Sequence, residues 1–356
     1  MKQKRILFTG GGTAGHVIVN LALIPEFQRQ GYQVDYIGSY QGIEKQLISS
    51  LEGVTYHGIS TGKLRRYMSK ENLKDPFKVM KGLIQSLRII RKRKPQVIFS
   101  KGGFVSVPVV AAAKLNRVPA IIHESDYTPG LANKLSFPFA KKVLATFPET
   151  MQHLPEEKGQ YIGAVVREEL FTGDRSKGLS YSGLTTNKPV VLVMGGSTGS
   201  KKINDAIRTN LDELLKEVQI IHICGQGQKD ETINRSGYAQ FEYVSDELKD
   251  LFAASHYIIS RAGSNAIFEF LALKKPMLLI PLSRKASRGD QILNADSFVK
   301  QGYAHKLEEE ELNSESLLKE LKHLIDSKEQ MLSNMEKYES KRTKNEVISI
   351  IQKAEK

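Results

Sequence analysis

The sequence predicts two open α/β domains, each built on a doubly wound parallel sheet. Three observations lead to this fold class: a length of 356 residues, short apolar strands that alternate with helical segments, and a second start of that alternation at Pro189. A chain of this length exceeds what one hydrophobic core usually supports. Apolar strands separated by helices are typical of parallel sheets that are covered on both faces. We place the domain boundary near Gly163-Ala164-Val165.

The elements follow in order along the first half. The run Ile6-Leu7-Phe8 is the first strand, and a glycine-rich turn and a helix near residues 16–30 come after it. Short apolar or β-branched runs indicate the later strands. They lie at residues 34–37, 54–59, 97–100, 120–123 and 143–146.

The second half repeats the pattern. Val190–Met194 is a continuous apolar run that indicates a fully buried strand, and a glycine-rich turn and a helix near 200–217 follow it. The tail from about residue 314 is helical and mixed in charge. The remaining strands are predicted at residues 219–224, 241–244, 257–260 and 277–281.

Composition narrows the class of protein. Hydrophobic residues make up 40% and charged residues 26%, as in a water-soluble globular protein. No apolar run approaches the roughly 18 residues of a membrane span, and the apolar run after the basic start is too short for a signal peptide. We therefore expect a cytoplasmic location. The single cysteine, Cys224, excludes an internal disulfide and a cysteine-rich metal site, and we expect it to be a buried strand thiol.

The net charge of +13 is concentrated in the first half. Residues 1–165 hold 24 Lys and Arg against 11 Asp and Glu, whereas residues 166–356 hold 28 of each. The densest stretch is 63–94, with 12 basic and 2 acidic side chains. Such a concentration favours an anionic partner, either a nucleic acid or a membrane leaflet with acidic lipids.

Residues 73–87 carry an apolar stripe at helical spacing. The simplest interpretation is that the stripe packs on the sheet while the lysines face water. The alternative is a membrane-facing helix beside a basic patch. The stripe consists of Leu73, Phe77, Met80, Ile84 and Leu87, and the patch of Lys74, Lys78, Lys81, Arg88, Arg91 and Lys92. Nucleic acid is disfavoured, because residues 63–94 contain no series of aromatic residues for base stacking.

The first of four glycine-rich loops is Gly10–His16. Glycines let the backbone turn tightly and approach an anion, and the following helix directs its N-terminus there. The loop fits G-x-G-x-x-G with Asp35 about 20 residues later, so a dinucleotide site is one interpretation, although Asp35 lies inside a predicted strand. His16 is either a helix-capping residue or an active-site base or ligand contact.

Three more loops follow predicted strands, at residues 101–106, 195–200 and 260–269. The first of these is an ordinary turn or part of a ligand site. In the second, a diphosphate can bind the helix N-terminus and the hydroxyls of Ser197 and Thr198. In the third, the Glu269 carboxylate can accept both hydroxyls of a ribose, unless it is a solvated helix residue.

Several common catalytic motifs are absent from the sequence. There is no Asp-x-Asp pair to chelate a metal against a nucleotide diphosphate, and no P-loop, Gly-x-Ser-x-Gly or His-Glu-x-x-His motif. Hydrolytic triads and ATP-driven chemistry are therefore disfavoured.

Several groups of residues occur in an order that resembles the MurG family, the N-acetylglucosaminyltransferases that convert lipid I into lipid II in peptidoglycan synthesis. The resemblance spans nearly the whole chain. Its motifs are Gly-Gly-Thr-x-Gly-His at 11–16, Gly-Gly-Phe-Val-Ser at 102–106, His123-Glu124 with Gly-Leu-Ala-Asn-Lys at 130–134, Arg167, Gly-Gly-Ser-x-Gly at 195–199, Arg261-x-Gly263 with Glu269, and Asp290-Gln291 before Asn294-Ala295.

The resemblance implies a GT-B fold, in which two Rossmann-like domains face each other across a cleft. Residues 1–164 would form the domain that takes the acceptor and associates with the membrane, and a C-terminal helix at 340–356 would pack back on it. Residues 165–339 would bind the donor. The implied reaction moves N-acetylglucosamine from UDP-N-acetylglucosamine to undecaprenyl-linked lipid I, with inversion, on the cytoplasmic face of the membrane. It implies no cofactor and no metal.

The resemblance also implies contacts to the donor. In the second domain, Arg167 and Ser197 would contact the nucleotide diphosphate, the main chain at Val244 the uracil, Glu269 the ribose, and Gln291 the sugar hydroxyls, with Ser264 as a further binding residue. In the first domain, Thr13, Ala14 and Gly15 would close over the sugar and the diphosphate.

The mechanism needs a base for the proton of the acceptor hydroxyl. His16 is the first candidate and Asp126 the second. The family usually has Gln-Asn after His-Glu, where this chain has Ser125-Asp126. A carboxylate at 126 accepts a hydrogen bond but cannot donate one as the asparagine amide does.

Other functions remain open on the sequence alone. Another GT-B glycosyltransferase or a UDP-N-acetylglucosamine epimerase would use the same fold. A dehydrogenase would leave the loops at 195–200 and 260–269 unexplained. A nucleic-acid-binding protein would explain only the positive charge.

Overall fold

The structure is a computed structural model that describes residues 3–62, 75–196, 198–338 and 343–355. It divides into two compact units. The first unit contains the described residues up to Val166 and the C-terminal helix, and the second begins at Arg167. None of the helices in these ranges combines the length and the apolar character that a bilayer span requires.

The first unit is built on a sheet of seven strands. The strands are β1 (Arg5–Thr9), β2 (Gln33–Ser39), β3 (Val54–Ile59), β4 (Val97–Ser100), β5 (Ala120–Glu124), β6 (Lys142–Ala145) and β7 (Gly159–Tyr161). They lie in the order β3-β2-β1-β4-β5-β6-β7, and each strand pairs in parallel with its neighbours. The helices between them are α1 (Ile18–Arg29), α2 (Ile43–Ser49), α3 (Asp75–Arg93), α4 (Ser106–Leu115) and α5 (Leu131–Ser136).

Both faces of this sheet are buried. Because successive strand residues point to opposite faces, Ile6 and Phe8 join one core while Leu7 joins the other. The first core also contains Val347 and Ile351 of the C-terminal helix Thr343–Lys353, which we number α14 below. The helix expected to pack back on the first domain therefore contributes to the core of the first unit.

The second unit is built on a sheet of six strands. The strands are β8 (Val190–Met194), β9 (Gln219–Ile223), β10 (Tyr238–Phe241), β11 (Tyr257–Ser260), β12 (Met277–Leu279) and β13 (Ala304–Lys306), in the order β10-β9-β8-β11-β12-β13 and parallel throughout. The helices are α6 (Arg175–Ser182), α7 (Lys201–Thr209), α8 (Leu211–Glu217), α9 (Leu248–Ala254), α10 (Ser264–Ala272), α11 (Asp290–Lys300), α12 (Ser314–Asp326) and α13 (Lys328–Glu336), and α14 follows in the first unit. The predicted doubly wound parallel sheets are confirmed.

Two predicted elements differ from the structure, and two further strands were not predicted. The helix near 200–217 is two helices, because the Asn210 side chain donates to the Ala206 carbonyl and closes the first helix. The strand predicted at 241–244 is wrong: pairing with β9 runs from Tyr238 to Phe241, where β9 itself ends. The strands β7 and β13 are short and lack an apolar run, so periodicity gave no signal for them.

The apolar stripe on α3 does not pack as the simplest interpretation predicts. Phe77, Met80 and Ile84 are 78%, 57% and 44% exposed, whereas Leu87 packs half-buried against the core. Packing on the sheet is thus wrong for three of the stripe residues. Leu73, and Lys74 of the basic patch, lie outside the described residues.

Candidate active site

The strand order of each sheet reverses at one place, which is where open α/β sheets bind ligands. In the first unit the reversal lies between β1 and β4, and in the second between β8 and β11. The four glycine-rich loops follow these four strands. The topology therefore brings the loops together in two pairs, one pair in each unit.

In the first unit, the loop after β4 packs directly against the loop after β1. The N–H of Gly11 donates to the carbonyl of Gly102 at 3.3 Å. Gly103 has φ +83°, and a Cβ built on it would lie 2.1 Å from the Gly11 carbonyl oxygen. Any side chain at 103 would push the two loops apart. The loop after β4 therefore supports the loop after β1.

The imidazole of His16 is held by the loop that carries it. Thr13, Ala14 and Gly15 precede it, and Thr13 is exposed while Ala14, Gly15 and His16 are half-buried. Nδ1 of His16 lies 3.0 Å from the carbonyl oxygen of Gly11 and 3.2 Å from the Thr13 hydroxyl. A carbonyl oxygen only accepts, so Nδ1 carries the hydrogen and Nε2 is the basic nitrogen. This tautomer suits a general base.

Asp126 lies in the loop after β5, next to β4 in the sheet. Its N–H donates to the buried Glu124 carboxylate at 3.0 Å, which also accepts from the N–H of Gly130 at 2.9 Å and the Asn133 amide at 2.8 Å. Burial first, and then the charge of Asp126, raises the pKa of Glu124. Glu124 thus fixes the backbone of the turn, and the half-buried Asp126 stands at its exposed side.

Lys101 is a polar residue that the sequence gave no role. It is almost completely buried, and its Nζ donates to the hydroxyl of Ser125 at 2.7 Å. Burial lowers the pKa of Lys101, while the charges of Glu124 and Asp126 oppose that shift. The one signal in the sequence is that Ser125-Asp126 replace the family's usual Gln-Asn, since Ser125 is the partner of this lysine.

Asp35 is not placed to bind a ribose. It is fully buried in the middle of β2, opposite Leu7 of β1. One carboxylate oxygen lies 2.8 Å from Nε2 of His57 and 2.7 Å from Nε of Arg93. The acidic residue that a dinucleotide site needs is therefore used inside the unit, which argues against that interpretation.

In the second unit, the loop after β8 leads into α7. Ser197 lies outside the described residues, and the Thr198 carbonyl accepts from the Gln228 amide at 2.8 Å. The Ser200 hydroxyl caps α7 by accepting from the N–H of Ile203. A Cβ on Gly199 would lie 2.0 Å from the Cys224 carbonyl oxygen, so the loop packs closely on the end of β9. Cys224 itself is buried, as expected.

Arg261, in the loop after β11, is a structural residue of this site. It is buried, and its guanidinium donates to the Ile280 carbonyl at 3.1 Å and to the Ser200 hydroxyl at 2.7 Å. It also pairs with the buried carboxylate of Glu309. Arg261 therefore connects the two loops of the second unit. The sequence offered only its place in a motif, because Glu309 is distant along the chain.

Arg167 and Glu269 form a bidentate pair. Nε and Nη2 of Arg167 donate to Oε1 and Oε2 of Glu269 at 2.8 and 3.0 Å. Burial alone would lower the pKa of Arg167, but the bond to Glu269 and its charge outweigh this and raise it. The structure thus pairs the residue predicted to bind the diphosphate with the one predicted to bind the ribose. Glu269 is 5% exposed and so is not a solvated helix residue.

The other predicted donor contacts also lie in the second unit. Ser264 is buried at the start of α10, the helix that carries Glu269, and Val244 is buried in the segment after β10. Gln291 lies in the first turn of α11, where its carbonyl oxygen accepts from the N–H of Leu282 at 3.0 Å. That bond fixes the amide and leaves its NH2 group as the donor.

One group of possible metal ligands lies elsewhere. Ligand atoms of His305, Glu320 and His323 lie within 4.8 Å of one another. His305 belongs to the edge strand β13 and the other two to α12, so the group is not part of either pair of glycine loops.

Comparison with known proteins gives the family. Residues 6–145 match the glycosyltransferase family 28 N-terminal domain, and residues 190–351 match its C-terminal domain. Over 349 residues the chain is 67% identical to the UDP-N-acetylglucosamine--N-acetylmuramyl-(pentapeptide) pyrophosphoryl-undecaprenol N-acetylglucosamine transferase of Oceanobacillus iheyensis, with 98% of each chain covered. The crystal structure of Acinetobacter baumannii MurG matches with a TM-score of 0.76 and 25% identity, covering 98% of this chain and 99% of that one. The chain belongs to the MurG family.

A further relative agrees with this assignment, and a more distant structure agrees with the fold. A second transferase of the same name, numbered 2, from Bacillus cereus is 56% identical over 353 residues, or 99% of this chain and 100% of that one. The UDP-GlcNAc 2-epimerase of Neisseria meningitidis has a TM-score of 0.71 at 12% identity, with 98% and 100% coverage, and shares the fold alone. The predicted GT-B type of fold, with two parallel-sheet α/β units, is confirmed.

Proposed function

We propose that this protein transfers N-acetylglucosamine from UDP-N-acetylglucosamine to lipid I and so makes lipid II for peptidoglycan synthesis. The observation that carries the proposal is the 67% identity, over almost the whole of both chains, to a transferase whose name states this donor and this type of acceptor. The loops at both sheet reversals are of the type expected to hold a phosphorylated ligand.

The donor binds to the second unit in this proposal. The nucleotide lies along the carboxyl ends of β8 and β11, with its diphosphate at the loop 195–200 and its uracil at the main chain of Val244. Glu269 takes the ribose hydroxyls while Arg167 holds its carboxylate in position, since a bidentate guanidinium fixes both oxygens. Gln291 and Ser264 complete the contacts to the donor.

The reaction is an inverting displacement. The acceptor hydroxyl attacks the anomeric carbon of the donor sugar, the bond to the diphosphate breaks, and UDP leaves. Nε2 of His16 takes the proton of that hydroxyl, and Asp126 is the second candidate for this role. Thr13, Ala14 and Gly15 contact the sugar and diphosphate from the loop of the first unit.

Negative charge on the departing diphosphate is stabilised without a chelating acidic pair. The sequence has no Asp-x-Asp motif. The N-termini of α7 and α10, together with backbone N–H groups, supply the positive potential instead.

An acceptor-dependence assay tests the reaction. UDP release from UDP-N-acetylglucosamine is followed with the purified chain, with and without lipid I in detergent. We expect release only with lipid I, and a lipid-linked disaccharide as the product. Conversion of the sugar nucleotide without an acceptor would instead indicate the epimerase alternative.

We also propose that the first unit carries a membrane-binding surface and that the enzyme lies peripherally on the cytoplasmic face. On α3, exposed Phe77, Met80 and Ile84 stand among exposed Lys81 and Arg88. Basic side chains near an anionic leaflet each contribute about 1 kcal/mol of attraction. Exposed apolar side chains add insertion into the interface.

Sedimentation with vesicles tests this surface. We expect binding to anionic but not to neutral vesicles, reversed by high salt and weakened in the triple variant K81Q, R88Q and K92Q. Arg93 is kept, because it pairs with the buried Asp35. K201Q, K216Q and K229Q, in the second unit, make the same charge change away from α3 and should bind normally. Equal binding to neutral vesicles, or equal loss in both variants, would contradict the proposal.

A further inference from the structure

The carboxylate of Glu44, on α2, is fully buried beside the first glycine loop. Its Oε1 accepts from the N–H of Ser39 at 2.9 Å and from the Ser39 hydroxyl at 2.5 Å. Its Oε2 accepts from the N–H of Gly12 at 3.1 Å. Charge-assisted bonds of this kind are stronger than bonds between neutral groups. Glu44 therefore ties the end of β2 to the loop after β1.

Three glycines leave the space that this carboxylate fills. A Cβ built on Gly11 would lie 2.4 Å from Cδ of Glu44, one on Gly42 would lie 2.2 Å from Oε2, and one on Gly38 would lie 2.9 Å from Cγ. Each of these distances is too short for a real contact between atoms. The glycines are thus needed for the close approach of the acid, in addition to any turn they make.

Two tyrosines, both with protonated hydroxyls, hold the neighbouring backbone. Burial, and to a lesser extent the charge of Glu44, raises the pKa of Tyr56. The same two effects raise the pKa of Tyr36, again with burial as the larger cause. The Tyr36 hydroxyl donates to the Gly10 carbonyl at 2.7 Å, and the Tyr56 hydroxyl donates to the Ser39 carbonyl at 2.6 Å. Glu44 and the Tyr36 hydroxyl together fix the backbone on both sides of Gly11, and the Tyr56 hydroxyl fixes the end of β2.

The Gly11 carbonyl is the group that receives Nδ1–H of His16. We propose that Glu44 is a positioning residue for the transfer reaction: by holding the N–H of Gly12, it orients the Gly11–Gly12 peptide whose carbonyl fixes the His16 tautomer. This inference rests on the proposed function. It adds a residue that touches neither substrate and acts through the backbone of the loop.

The variant Glu44→Gln separates this role from simple filling of space. An amide has the shape of the carboxylate but only one accepting atom. Ser39 and Gly12 both present N–H groups to the side chain, so one of them would face an NH2 group. Glu52→Gln is the matched control, because it removes the same charge from an exposed glutamate of the same unit.

Kinetics give the first test. We expect Glu44→Gln to lower kcat about 10- to 100-fold, the effect of a misplaced catalytic group. The affinity for UDP alone, measured by calorimetry, should fall much less than kcat does, because the second unit supplies most of the proposed contacts to UDP. Glu52→Gln should behave as wild type. An unchanged kcat in Glu44→Gln would overturn the proposal, and so would an equal loss of UDP affinity.

The imidazole nitrogens give a second test that needs no turnover. In protein labelled with 15N-histidine, His16 is identified by comparison with His16→Gln, at a pH at which the ring is neutral. We expect the Nδ1–H tautomer in wild type and in Glu52→Gln, and a mixture of tautomers in Glu44→Gln. An Nε2–H tautomer in wild type overturns the proposal even if Glu44→Gln does not fold. If wild type shows no transfer activity, the proposed function fails, and this spectrum still decides the role of Glu44.

Discussion

The two glycine loops that follow β1 and β8 have similar sequences but opposite surroundings. The Gly12 N–H of the first loop donates to the Glu44 carboxylate, so a negative charge already stands beside that loop. The second loop ends at Ser200, whose hydroxyl is held by the guanidinium of Arg261. Glu44 therefore disfavours an anion near Gly12, whereas the acidic residue beside the loop after β8, Glu309, is paired with Arg261. We therefore expect the loop after β1 to present the base and the loop after β8 to hold most of the diphosphate, with Thr13, Ala14 and Gly15 completing the contacts.

The largest expected effect comes from removing the base of the first loop. His16→Ala should lower kcat about 10²- to 10⁴-fold, the usual contribution of general base catalysis. Steady-state kinetics with saturating donor and lipid I measure this. Asp126→Ala is the companion variant, and a larger loss there than in His16→Ala would assign the base to Asp126.

The second unit depends on the Arg167–Glu269 pair for stability. Glu269→Ala leaves a largely buried guanidinium unpaired, because Arg167 and Glu269 side chains are 22% and 6% exposed. We expect a loss of about 2 kcal/mol in the free energy of unfolding, less than for a fully buried pair. Urea unfolding of Glu269→Ala, Arg167→Leu and the double variant measures the pair. Additive losses in the double variant would contradict it.

Each unit also contains a buried strand histidine that should make it sensitive to acid. Burial and the charge of Lys101 lower the pKa of His123 well below its usual range, and burial and Arg208 lower the pKa of His222 to about 3. Both are neutral in the folded state, while the unfolded chain takes up protons below about pH 6.5, so stability falls as the pH drops. At pH 5 the loss should be about 2 kcal/mol for each histidine.

Urea unfolding at a series of pH values measures this effect. His222→Gln should flatten the pH dependence of the second unit and leave that of the first unchanged. Equal pH dependence in wild type and His222→Gln would contradict the assignment.

The smallest expected effect is that of a chelator. If helix N-termini and backbone N–H groups hold the diphosphate, excess EDTA should leave the affinity for UDP-N-acetylglucosamine nearly unchanged. Calorimetry with and without EDTA measures this. A collapse of binding would mean that a metal ion contributes at the loop after β8.

The sequence was sufficient to place the loops but not their partners. Strand and glycine patterns are local, so the loops at 10–16 and 195–200 could be found from a few neighbouring residues. Glu44 and Glu309 contact those regions from far along the chain, and nothing local distinguishes either from a surface glutamate. The only signal for Glu44 was the pair of glycines at 38 and 42, which its carboxylate requires.

The roles of Arg167 and Glu269 show a similar limit. Family resemblance gave each a ligand, but their bond to each other depends on the path of the chain across 102 residues. The helix α3 shows the same limit. Its periodicity predicts a buried apolar stripe, but three of the side chains in that stripe are exposed.

The division of roles between the loop after β1 and the second unit is tested most directly by the affinity for UDP in two variants. Calorimetry measures it at a temperature where both variants are folded. His16→Ala should bind UDP as wild type does, within about two-fold. Glu269→Ala should bind it about 5- to 150-fold more weakly, the cost of about 1–3 kcal/mol for hydrogen bonds lost at a charged group. Weaker binding in His16→Ala with unchanged binding in Glu269→Ala would contradict the division of roles between the loop after β1 and the second unit.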